Sequence, residues 1–170
     1  MLQRFRKPLI VLTPKSLLRH SQCVSPLTDF EFHAFSTLLM DCEAEPADIT
    51  RLLLCSGKVY YDLKKELAGK QHDNTALVRL EQLYPRDDAE LQQLLEPFHD
   101  GTPAVWVQEE PVNQGAWQTL RHHWGTHLLD RFPLSVVARA ESASPATGSR
   151  ASHQYEQSQL VQQAFSARPN

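Results

Sequence analysis

The chain has 170 residues, 41% hydrophobic and 22% charged, which fits one soluble globular domain with a self-sufficient core. A formal net charge of −3 lacks the basic excess of a nucleic-acid surface, and apolar runs such as Leu9 to Leu12 are far too short to span a membrane. Cys23, Cys42 and Cys55 are scattered and form no C-x-x-C, which speaks against a disulfide framework or a structural zinc and for a reducing compartment.

Arg4, Arg6 and Lys7 are followed by no long apolar region, so the N-terminus does not read as a secretory signal. Leu9-Ile10-Val11-Leu12, bounded by Pro8 and Thr13-Pro14, reads as a buried strand, with a helical turn at Ser16 to Arg19. From His20 to Asp48 the pattern is loop-rich, with Phe35 to Met40 a candidate strand. Arg51 to Cys55 is a strand, and Ser56-Gly57-Lys58 leads into a helix. Val59, Leu63 and Leu67 line one face of that helix and Gly69 stops it. Thr75 to Leu80 is the next strand. Asp87-Asp88-Ala89-Glu90 resembles a capping box, opening a helix with Leu91, Leu94, Leu95 and Phe98 at helical spacing. Ala104 to Val107 is a strand, about Trp117 to Leu129 a helix, Leu134 to Ala138 a strand and Gln154 to Phe165 a closing helix. Strands alternating with helices predict an α/β fold: a mostly parallel sheet of about five strands covered on both faces.

In such a sheet, ligands collect at the carboxyl ends of the strands. Thr13, Lys15, Ser56, Lys58, Gln82, Glu109, Glu110 and Arg139 fall at the predicted ends. Gln108 to Trp117 places two carboxylates, a Pro, side-chain amides and a Gly there, which suits either acid/base chemistry or a solvated, amide-knit turn. Ser56-Gly57-Lys58 suits an anion at a helix N-terminus or, equally, a Ser cap with a tight-turn Gly. The phosphate-loop motif, the dinucleotide glycine fingerprint and the G-x-S-x-G elbow are all absent. His123 and His127, beside His122, have metal-sharing spacing on a helix but no evident third ligand, so an exposed polar face is the favoured reading.

Several stretches resemble, in order, the C-terminal domain of the E1 component of 2-oxoglutarate dehydrogenase. They are Arg6 to Val11, Thr13 to His20, Cys55 to Leu63, Val78 to Pro85, Gln108 to Trp117, Ser142 to Gly148 and His153-Gln154. Ala138 and Ala140 flank Arg139 where the family suggests Gly and Pro, which weakens any ligand role for Arg139. The resemblance implies a three-layer sandwich like the transketolase C-terminal domain, with residues 1–170 a single domain, 1–8 a connector and 167–170 a frayed tail. It implies an enzyme that decarboxylates 2-oxoglutarate and passes the succinyl group to the lipoyl group of E2, in the tricarboxylic acid cycle. Thiamine diphosphate and Mg²⁺ would be held by upstream domains; this chain, which lacks any Gly-Asp-Gly, would hold no cofactor and no metal and contribute no catalytic residue. Its expected role is structural and its isolated form inactive, as a truncation or excised domain. Expected partners are the upstream domains, the second subunit of E1 and, through the full complex, the E2 succinyltransferase, with self-association but neither nucleic acid nor membrane. The compartment would be a bacterial cytoplasm or a mitochondrial matrix. The resemblance also raises an alternative: a regulatory module for a nucleotide such as acetyl-CoA or AMP, using Lys15, Arg19, Ser56, Lys58 and Arg79. A free-standing enzyme built on Glu109 or Glu110 is the third reading.

Overall fold

The computed structural model describes residues 7–8, 10–32, 34–69, 72 and 74–166. The expected tail at 167–170 and most of the expected connector at 1–8 lie outside them. The chain divides into two units, residues 1–34 and 35–170.

The first unit holds a 3₁₀ turn at Lys15–Arg19, as the sequence suggests, and a short helix α1, Leu27–Phe32. The strand expected at Leu9 to Leu12 is not formed over its described part. Ile10, Val11 and Leu12 have no strand partner and are 81%, 70% and 94% exposed. A strand exists only against a neighbour, and none of the described strands pairs with these residues.

The second unit carries six strands, β1 Leu38–Asp41, β2 Arg51–Cys55, β3 Thr75–Leu80, β4 Ala104–Pro111, β5 His127–Leu128 and β6 Phe132–Arg139. Its other helices are α2 Val59–Gly69, α3 Asp88–Leu95, α4 Trp117–Trp124 and α5 Arg150–Ser166. The sheet order is β1-β3-β2-β4-β6-β5. β3, β2, β4 and β6 are mutually parallel, and β1 and β5 are antiparallel edges. The sheet is thus mostly parallel, with six strands rather than about five. β1 is the candidate strand at Phe35 to Met40 shifted to Leu38–Asp41, and the two-residue β5 is the addition.

Alternate residues of the almost continuously buried central strands face opposite layers. Leu52, Leu54, Ala76, Val78, Ala104 and Trp106 pack against α3 and α4 through Leu91, Leu95, Trp117, Leu120 and Trp124. Leu53, Cys55, Leu77, Val105 and Val107 pack against α2 and α5 through Val59, Leu63, Leu160 and Ala164. Helices cover both faces, so the unit is a three-layer α/β sandwich. Each fully buried Leu side chain contributes about 1.5–3 kcal/mol relative to exposure.

Several element ends differ from expectation for local reasons. β4 runs on through Gln108, Glu109 and Glu110 to Pro111, with a register irregularity against β6 between Val107 and Pro111. α4 stops at Trp124 instead of continuing to Leu129, because Gly125 takes φ +66° and its N–H bonds back to the Arg121 carbonyl at 3.0 Å. α3 ends at Leu95, whose carbonyl accepts from the Phe98 N–H at 3.2 Å and from Arg131 at 3.3 Å, while Arg131 also donates to the Phe98 carbonyl at 2.8 Å. Asp87 caps α3 as the sequence suggests, accepting from the N–H groups of Ala89 and Glu90 at 3.0 and 3.2 Å. Glu90 does not return the bond; it accepts from the Thr37 hydroxyl instead. α5 begins at Arg150, four residues before its expected start at Gln154.

Candidate functional site

The carboxyl ends of β3, β2, β4 and β6 share one edge of the sheet, so the residues there are the ones to test for chemistry. Ser56, Gly57 and Lys58 form the turn from β2 into α2, with Gly57 at φ +72°. Lys58 donates to Glu109 of the adjacent β4, and the two side chains are 31% and 19% exposed. The cation proposed for an external anion and the carboxylate considered for acid/base work therefore neutralise each other.

Arg79, in β3, is equally engaged. Its Nε lies 2.7 Å from Glu81, its Nη1 donates to the Tyr61 hydroxyl at 3.3 Å, and its guanidinium lies over the Tyr60 ring at 4.2 Å. Burial alone would lower its pKa, but the Tyr61 bond and the Glu81 charge outweigh it and hold Arg79 above its ordinary value. Tyr60 donates its hydroxyl proton to Asp41, which also accepts from Lys64 at 3.3 Å. Burial, then the Asp41 carboxylate, pushes the Tyr60 hydroxyl above its usual pKa.

At the end of β6, Arg139 reaches three groups on α5. Its Nη2 donates to His153 Nδ1 at 3.0 Å and to Gln157 Oε1 at 3.1 Å, and its Nε lies 3.4 Å from Glu156. Gln157 passes the chain on to Asp62 of α2 at 2.8 Å. A cavity of about 320 Å³ lies beside Arg139, walled by the end of β6, the loop at 140–147 and α5. Arg139 thus clamps α5 to the sheet through Nη2 and an ion pair with Glu156, while its buried Nε makes no hydrogen bond.

The remaining candidates divide between the two units. Lys15 and Arg19 lie exposed in the first unit, whereas Ser56, Lys58 and Arg79 lie in the second. Among the described residues no strand precedes Thr13 and Lys15, so their expected place at a strand end is not realised there. His123 is in α4 but His127 is in β5, so the helical spacing assumed for a shared metal does not hold. His123 bonds Asp88 and His127 Nδ1 bonds the Thr126 hydroxyl at 2.9 Å. Among the described residues, no group of three or more His, Cys, Asp or Glu is placed to hold a metal ion. Cys55 is fully buried, and burial pushes its thiol far above the usual range, which suits a packing role.

The residue that sequence reasoning missed is Gln108. It is 3% exposed, and its amide joins the end of β4 to the start of α4. Oε1 accepts from Trp106 Nε1 at 2.9 Å and from the Trp117 N–H at 3.0 Å. Nε2 donates to the Pro111 carbonyl at 3.1 Å and the Gln114 carbonyl at 2.7 Å. Gly115 has φ +67°, and a Cβ there would sit 3.0 Å from Gln108 Nε2, so only glycine fits without displacement. Asn113 and Gln114 hold the loop after β6, donating to the Ser142 carbonyl at 3.0 and 2.8 Å. The sequence signal was available: Gln108 continues the period-two face of Ala104 and Trp106, which marks it as an inward-facing polar group.

A family model described as "2-oxoglutarate dehydrogenase C-terminal" matches residues 24–165. The chain is 41% identical over 166 residues to the 2-oxoglutarate dehydrogenase E1 component of Haemophilus influenzae, a match spanning 97% of this chain and 18% of that protein. It is 42% identical over 166 residues to the E1 component of Cupriavidus necator and 44% over 168 residues to that of Coxiella burnetii, again 18% of each. The chain therefore spans less than a fifth of the length of these relatives. Among solved structures, a chain titled "Split gene transketolase, inactive beta4 tetramer" aligns over 80% of this chain and 45% of its own length, with 14% identity and a TM-score of 0.49.

Proposed function

The chain belongs to the 2-oxoglutarate dehydrogenase C-terminal family, and from that premise we propose that it serves as the structural and assembly domain of an E1 component and is not catalytic by itself. In this reading the complete E1 decarboxylates 2-oxoglutarate on thiamine diphosphate and delivers the succinyl group to E2. This chain supplies a rigid sandwich against which the rest of E1 and a second subunit pack.

The observation that carries the proposal is the self-sufficiency of the strand-end edge. Lys58 is paired with Glu109, Arg79 with Glu81 and Tyr61, and Arg139 with His153, Glu156 and Gln157. A catalytic edge leaves an acid, base or electrophile free to meet a substrate. Here these charged groups are used to tie β2, β3, β4 and β6 to α2 and α5. The residues do not fit thiamine diphosphate either. The Gly-Asp-Gly of the Mg²⁺–diphosphate motif is absent from the sequence, and no carboxylate or His cluster suited to a cation occurs among the described residues. The anion-module reading finds no supporting observation, because Lys58 and Arg79 already hold carboxylates.

The test is a comparison of two proteins. The purified chain, given 2-oxoglutarate, thiamine diphosphate, Mg²⁺ and an artificial electron acceptor, is expected to show no turnover. A chimera in which this chain replaces the matching 166 residues of the Haemophilus influenzae E1 component is expected to retain turnover. Activity in the isolated chain, or an inactive and unassembled chimera, overturns the proposal.

A further inference from the structure

We infer that residues Ile10 to Leu12 are a strand of the neighbouring part of E1, added to the edge of a sheet that lies outside this chain's own sandwich. The inference rests on the E1 reading above and deepens it by naming the element through which the two parts join.

Four independent observations converge on the segment. Ile10-Val11-Leu12 has the composition of a buried strand, bounded by prolines on both sides, yet is 81%, 70% and 94% exposed. A β-branched apolar run with no sheet beside it is a strand without its partner. The match to the C-terminal family begins only at residue 24, whereas the matches to whole E1 components take in 97% of the chain. The segment thus belongs to E1 but not to the C-terminal domain proper. Contacts within the chain also place the segment in a unit of its own, residues 1–34, distinct from the unit at 35–170 that carries the sandwich. Finally, charge is segregated along the sequence. Residues 1–28 carry five Lys and Arg and no Asp or Glu, while residues 29–170 carry twelve Lys and Arg and twenty Asp and Glu.

The occupant follows from these facts. The relatives have more than four-fifths of their length outside the match, which is ample for a second domain with its own sheet. The chemistry of the segment specifies the receiving edge. The segment offers main-chain N–H and C=O groups at Ile10 to Leu12 and apolar side chains alternating on two faces, and the receiving edge would carry acidic groups to meet Lys15 and Arg19. Pro8 and Pro14 set the length of the added strand, since neither can donate to a ladder. The 3₁₀ turn at Lys15–Arg19 then leads the chain from one part of E1 to the other.

Amide hydrogen exchange on the isolated chain and on the E1 chimera tests this. The Val11 and Leu12 amides are expected to exchange near the unprotected rate in the isolated chain and at least about a hundred-fold more slowly in the chimera. Val11→Asp is expected to leave the melting temperature of the isolated chain unchanged and to remove that protection in the chimera. An assembled, active chimera whose Val11 and Leu12 amides stay unprotected overturns the inference while leaving the E1 reading intact. So does a Val11→Asp chain that melts several degrees lower on its own, because the segment would then belong to this domain. A chimera that neither assembles nor turns over overturns both.

Discussion

Replacing Gln108 with leucine keeps most of the side-chain volume but removes the amide that ends β4. Two donors lose their acceptor, the Trp106 indole N–H and the Trp117 main-chain N–H, and two carbonyls, of Pro111 and Gln114, lose their donor. A buried group left unsatisfied costs about 1–3 kcal/mol. The Pro111 carbonyl still accepts from the Gln114 N–H at 2.8 Å and Gln114 is only half-buried, so the two N–H groups dominate. The expected loss is about 2–5 kcal/mol, offset in part by the better burial of leucine. Urea unfolding followed by tryptophan fluorescence and by circular dichroism reads it directly. The midpoint is expected to fall by about 1–2 M with the slope unchanged. A loss below about 1 kcal/mol would show that the amide is not what joins strand to helix.

The same site offers an internal control. Gly115→Ala places a Cβ 3.0 Å from Gln108 Nε2 at a φ of +67°. The left-handed conformation alone costs about 1–2 kcal/mol, and the rest of the penalty is the displacement of Gln108. In a Gln108→Ala background only the first part remains. The double variant is therefore expected to be more stable than the sum of the single losses, by about 0.5 kcal/mol or more, and strict additivity would refute the contact.

Two further outcomes follow from the charged and sulfur groups. Burial alone would raise the Asp88 pKa, but His123 and Arg86 outweigh it and hold the carboxyl below its ordinary value. A carboxylate with a depressed folded pKa adds stability above its unfolded pKa and loses it as pH falls through the folded one. The stability gap between the parent and Asp88→Asn is thus expected to be full near neutrality and to close on acidification below the usual carboxylate range; a pH-independent gap in paired urea titrations would refute it. Thiol labelling should follow exposure: Cys23 is exposed and reacts first, Cys42 is half-buried with a pKa raised by burial and reacts slowly, and Cys55 reacts only on unfolding. Peptide mapping after timed alkylation checks the order, and early labelling of Cys55 would contradict its burial.

Which elements could be read from the residues depended on how completely they are buried. β2, β3 and the first half of β4 are covered on both faces, so Leu52 to Cys55, Thr75 to Leu80 and Ala104 to Val107 stand out as apolar runs. β1 has one open side and exposes Leu39 and Met40, so its pattern is diluted and its position was misjudged by a few residues. β5 is two residues long and has no periodicity to detect; only Gly125 hinted that the helix before it would stop. At the site, the identities of Lys58, Arg79, Glu109 and Arg139 were legible, but their partners were not. Lys58 meets a residue 51 positions away, and a pairing over that distance is set by strand order, which one-dimensional spacing does not contain.

That contrast explains why Leu9 to Leu12 misled the sequence reading and why the error is informative. Local composition reports only that a segment is suited to a sheet; it does not say whose sheet. For β2 and β4 the chain supplies the neighbours, and the prediction holds. For Ile10 to Leu12 it supplies none, although nothing in the residues distinguishes that run from the others. A segment whose local preference disagrees with its surroundings is a frustrated element unless further chain resolves it. Here the disagreement coincides with the place where the C-terminal family match has not yet begun, at residues before 24. The inferred pairing with a neighbouring part of E1 would resolve the disagreement at 10–12. The same logic separates it from the candidate anion ligands: Lys58 and Arg79 have their partners within the sandwich, while the segment with Lys15 and Arg19 joins exposed basic groups to the exposed apolar surface of Ile10 to Leu12.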